Sequence, residues 1–173
     1  MSESLAGELP SLQKCWSPPM RITNFFASAL VSAMLVASPA LAFQWTRYTE
    51  PRSGLSITYP LELFPKSTAT DDGVRFSGED VELELSSTAD VGVKSTDELR
   101  ELMMATDGYS SLTYSPGGRS WMVASGYRGE DIYYEKFFVL NGEVRAFSIQ
   151  YPKALRSIYD PVVEGLEDTF QPW

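Results

Sequence analysis

Chemistry in this chain would have to rest on carboxylates, Lys, Ser or Tyr, because histidine is absent and the single cysteine is Cys15. No Ser-His or Cys-His nucleophile pair can form, no imidazole base operates at neutral pH, and no Cys/His zinc site can be assembled. Carboxylates gather at Asp71, Asp72, Glu79, Asp80, Glu82 and Glu84. Oxygens of this kind suit a hard cation such as calcium. The spacing misses the D-x-[DN]-x-[DN]-G loop, however, so the group reads as turn residues and the wet face of a strand. Glu82 and Glu84 share a strand face, but acid–base work by paired carboxylates also needs an enclosing pocket. The sequence therefore assigns no catalytic residue, no metal ligand and no cofactor.

The phenols are concentrated: seven of the nine tyrosines lie between Tyr109 and Tyr159. A large ring with a polar tip suits a recognition surface, and the candidate patch is Trp121, Tyr127, Tyr133 and Phe137. The competing reading is sheet core covered by a helix, which is how Tyr134 and Phe147 are read. Ser115-Pro-Gly-Gly-Arg119 and Gly126-Tyr-Arg-Gly129 lack the GxxxxGK[ST] and GxGxxG patterns and read as turns rather than phosphate cradles. Ser11-Leu-Gln-Lys14 fits S-x-x-K but lies upstream of the folded domain, where the match is chance.

Those side chains must be held by alternating strands. Gly54-Leu-Ser-Ile-Thr-Tyr-Pro60 puts Leu55, Ile57 and Tyr59 on one side, and Asp71-Asp72-Gly73 turns into Val74-Arg-Phe76. Asp80–Ser86 points Val81, Leu83 and Leu85 inward. Ser95 with Glu98 opens a helix carrying Leu99, Leu102 and Met103, and Gly108 is read as its stop. Tyr109–Tyr114 reads as extended, followed by a strand over 119–128. Asn141-Gly142 then joins 132–140 to 143–151 as a hairpin that pairs Leu140 with Glu143, Lys136 with Phe147 and Tyr134 with Ile149. Both faces of that hairpin are apolar, so layers are expected on both sides. Asp160-Pro161 is read as the start of a closing helix with Val162, Val163, Leu166 and Phe170 inward, after a short helical turn over 154–158.

Upstream, Arg21 is followed by an apolar block and then by Pro39-Ala40-Leu41-Ala42-Phe43. Small residues at Ala40 and Ala42 before Phe43 form a signal-peptidase site. The apolar core from Phe25 to Ala37 is 13 residues, against the roughly 20 a spanning helix needs. The expectation is a signal peptide over 20–42, with 1–19 a presequence extension or a mis-assigned start, and one domain over 43–173. The alternative is an inner-membrane anchor formed by an uncleaved 22–42 segment. Removing 42 residues takes two of the 14 basic and two of the 23 acidic side chains, so residues 43–173 keep the net charge of −9. With no basic cluster, nucleic acid is excluded as a partner class.

The stretch Gly54–Pro60 resembles the "G-hydrophobic-S-hydrophobic-x-Y/F-P" first strand of the PsbP-like superfamily, which includes PsbP subunits of photosystem II, Mog-type proteins and DcrB-type envelope proteins. Asp72–Phe76, the hairpin ending in Tyr151-Pro152 and the closing Tyr159-Asp-Pro-Val-Val163 are similar to that pattern in order. The resemblance implies an α+β fold, an α/β/α sandwich whose mostly antiparallel sheet is covered by helices. It also implies non-catalytic binding or assembly, and it brings no catalytic set to carry over. The expected function is an exported factor of the bacterial envelope, periplasmic or secreted, that contacts an unidentified envelope protein. A small-ligand carrier with a pocket between sheet and helix is the alternative, and a carboxylate-dependent hydrolase ranks last.

Overall fold

The Asn141-Gly142 turn lies between the two longest strands of the architecture. In the computed structural model, which describes residues 43–89 and 91–173, Asn141 and Gly142 both take positive φ, 54° and 82°. That pair is what a two-residue hairpin matched to strand twist requires. It joins Asp131–Leu140 to Glu143–Pro152 in the register expected from the loop, with Leu140 opposite Glu143 and Tyr134 opposite Ile149. Numbering the strands Trp45–Thr49 (β1), Ser56–Pro60 (β2), Lys66–Ala69 (β3), Gly73–Ser77 (β4), Glu82–Thr88 (β5), Leu112–Tyr114 (β6), Trp121–Arg128 (β7), Asp131–Leu140 (β8) and Glu143–Pro152 (β9), the main sheet runs β3-β4-β5-β9-β8-β7-β6. Every pairing in it is antiparallel.

The two faces are buried by different layers. Helix Thr96–Met104 (α1) sets Leu99 and Met103 against Met122, Ala124, Tyr133, Val139 and Val144. Its start is the capping arrangement read from the residues: the Ser95 hydroxyl accepts from the Glu98 amide. On the other face, helix Arg156–Thr169 (α2) and the β1–β2 hairpin cover Leu83, Leu85, Phe147 and Ile149. The architecture is thus the expected α+β arrangement with a covered antiparallel sheet.

Local details differ from the sequence reading: of the Tyr109–Tyr114 segment expected to be extended, only Leu112–Tyr114 is strand, because Tyr109 closes a 3-10 turn. Helix α2 starts at Arg156, not Asp160, and contains Pro161. Burying Tyr159 beside Tyr151 outweighs the hydrogen bond Pro161 forfeits to the exposed Ser157 carbonyl. Asp160 is accordingly no cap; it accepts from the Tyr151 hydroxyl at 2.8 Å. Gly108 lies inside a 3-10 turn, Asp107–Tyr109, after α1 has already ended at Ala105. Strands β1 and β3 carry no apolar alternation and were not anticipated. Ala40, Ala42 and the whole 1–42 segment lie outside the described residues. Among the described residues, no helix is long and apolar enough to cross a membrane.

Candidate functional site

The register divides the aromatic residues singled out in the sequence. Trp121 and Tyr127 project from β7 toward α2, whereas Tyr133 and Phe137 project from β8 toward α1. Tyr133 is fully buried. Its ring stands edge-on to Tyr109, with the Arg128 guanidinium 4.3 Å from its centroid. Next to it, the buried Glu135 carboxylate accepts from the Tyr109 hydroxyl at 2.6 Å and from Arg128 at 2.9 Å. Burial, and then the Glu135 charge and hydrogen bond, push the Tyr109 phenol far above its ordinary value. These groups pin the segment after α1 to the sheet.

Tyr127 belongs to a different assembly. It lies in one cross-strand row with Ile132 of β8 and Tyr151 of β9. With Tyr134, this row floors an open groove of about 320 Å³ beneath α2. The helix contributes Arg156, Asp160, Glu164 and Glu167 as its wall. Those four recur at spacings of four, four and three residues, which places them on one side of the helix.

The wall is charged but largely compensated. Arg156 donates to Asp160 at 3.1 Å, and the Lys136 ammonium donates to Glu167 at 2.8 Å. At the mouth, the Lys153 ammonium sits 4.6 Å from the centroid of Tyr127. Burial followed by the bond to Asp160 raises the Tyr151 phenol, and burial followed by the Glu167 carboxylate raises Tyr134. Both rings are protonated at physiological pH, so neither is a base. The groove can hold a ligand through ring faces and carboxylates.

The acidic group read from the sequence is split by the β4–β5 register. Asp71 and Asp72 flank the Gly73 end, and Glu79 and Asp80 occupy the turn at the opposite end. Glu84 is paired with Arg75 at 2.9 Å across the strands. Among the described residues, no three metal-ligating side chains converge. The groove wall escapes the sequence reading because that reading takes only the inward stripe of this helix, Val162, Val163, Leu166 and Phe170; Glu164 and Glu167 lie off it. Their position opposite Tyr127 depends on which strands α2 crosses, and no local pattern encodes that.

No family model matches the chain, and no curated protein matches its sequence. Its structure is similar to the solution structure of cyanobacterial PsbP (CyanoP) from Synechocystis sp. PCC 6803, with a TM-score of 0.58 and 11% sequence identity. The match covers 79% of this chain and 96% of that one. With so few shared residues, the likeness is one of architecture: the chain has a PsbP-like α+β fold.

Proposed function

We propose that the chain is an exported, non-catalytic binding or assembly factor of the bacterial envelope, and that it engages another protein through the groove under α2. The observation that carries this reading is the groove itself, an open trough with a tyrosine floor and a carboxylate wall. The Tyr134 and Tyr151 phenols are held protonated, and histidine is absent from the chain, which supports binding as its chemistry. The shared fold with PsbP supports a binding role, and the Ala40-Leu41-Ala42 pattern supports export.

A photo-crosslinking amino acid at Tyr127, compared with one at Glu101 on the exposed side of α1, tests the reading in cells of the native host. A product specific to Tyr127 is expected, and equal or absent products at the two positions would overturn it. Mass spectrometry of the exported protein should find Phe43 at its N-terminus. A small-ligand carrier is the second reading, favoured by a groove volume near the roughly 300 Å³ at which ligand sites begin. Its open, charged wall fits a protein side chain better than an enclosed apolar molecule.

A further inference from the structure

Glu164 is the member of the groove that its own contacts leave unbalanced. Asp160 has Arg156 and Glu167 has Lys136, but Glu164 stands exposed between them on the same wall. Among the described residues it makes no ion pair and no side-chain hydrogen bond. Across from it lie the rings of Tyr127, Tyr134 and Tyr151. Aromatic faces attract cations, and the Lys153 ammonium, which donates to the Gly129 carbonyl at 2.8 Å, lies 4.6 Å from the Tyr127 centroid at the mouth. An anion would meet the unpaired Glu164 carboxylate in a chain of charge −9. A neutral apolar ligand would strip water from Glu164 without repaying it.

We infer that the groove accepts a basic side chain, arginine or lysine, from an extended segment of a partner protein. The charge sits at Glu164 and the alkyl stem crosses Tyr127. A protein segment fits because the groove is open on one side, beside the edge strand β6, where exposed Tyr114 extends the surface for flanking residues. This inference rests on the groove being the binding site and names the chemistry it selects.

The test titrates the full chain with acetyl-(Arg)₃-amide and with its uncharged citrulline counterpart, following amide and tyrosine ring shifts by NMR. The arginine peptide should bind, shift Tyr127 and Tyr134, and weaken as salt rises; the citrulline peptide should not bind. Glu164→Gln and Tyr127→Leu should each weaken binding about two- to fivefold, while Glu101→Gln on the far side of the sheet leaves it unchanged. Equal binding of the two peptides overturns the inference. So does equal weakening by Glu164→Gln and Glu101→Gln, which would mean only general attraction to an acidic surface. If crosslinking at Tyr127 yields a partner but the arginine peptide does not bind, the groove reading stands and the basic ligand is overturned.

Discussion

Glu50 illustrates how this chain treats a carboxylate taken out of water. It is 4% exposed, and burial alone would raise its pKa. Hydrogen bonds from the Ser53 hydroxyl, Arg52 and the Ser53 amide, with the Arg52 charge, outweigh that and hold it at about 2. Arg52 in turn donates to the carbonyls of Thr70, Asp71 and Gly73, so the pair ties the β1–β2 loop to the β3–β4 turn. A depressed carboxylate stabilises the fold above its unfolded pKa, and that contribution is lost as pH falls from about 4.5 toward about 2. Glu50→Gln should therefore cost about 1.5–3 kcal/mol at neutral pH, with the difference from the parent shrinking near pH 2, as measured by urea unfolding. Tyr133 gives the opposite case: its buried hydroxyl has no partner among the described residues. Tyr133→Phe should leave stability unchanged or raise it by about 1 kcal/mol, because an unmade hydrogen bond is removed along with its desolvation cost. A loss of more than that would show that the hydroxyl is bonded.

At the level of the element, legibility followed locality. The β8–β9 register was readable because Asn141-Gly142 allows one loop length, and all later pairs follow from it. The start of α1 was readable because Ser95 and Glu98 sit in one turn. Strand β1 was not, since its order comes from pairing with β2 and not from its own pattern. The start of α2 was misplaced because proline at a first helical position is a strong local rule, and tertiary burial of Tyr159 overrode it. Pro161 thus breaks the Ser157 hydrogen bond inside a formed helix. Pro161→Ala should restore it and raise stability by about 1–2 kcal/mol, the propensity gain less the entropy proline removes from the unfolded chain; a lower midpoint in thermal unfolding would contradict this. Gly73 is the reverse. A Cβ there would lie 1.9 Å from the Leu85 carbonyl oxygen, so Gly73→Ala should force the β4–β5 pair apart and cost about 3 kcal/mol or more.

For the whole molecule, the reading of an apolar hairpin as the middle of a two-sided sheet was enough to anticipate both covering layers. The groove was not anticipated, because it arises where α2 leaves β7 and β8 incompletely covered. One join has a further consequence. The β1–β2 hairpin is not part of the seven-stranded sheet; β2 instead exchanges backbone hydrogen bonds with Gln171 at 2.8 and 2.9 Å through Ser56. Thr58 is similarly bound to the Thr169 hydroxyl, and Arg47 to the Gln171 side chain. The molecule therefore has a seam along which it can open without breaking the main sheet. In native-state hydrogen exchange, the β2 amides and those of residues 169–171 should lose protection together, as one cooperative unit, at a free energy below that of β8 and β9. Denaturant dependence of exchange would resolve the two units, and a single common rate for hairpin and sheet would show that the seam opens only when everything does.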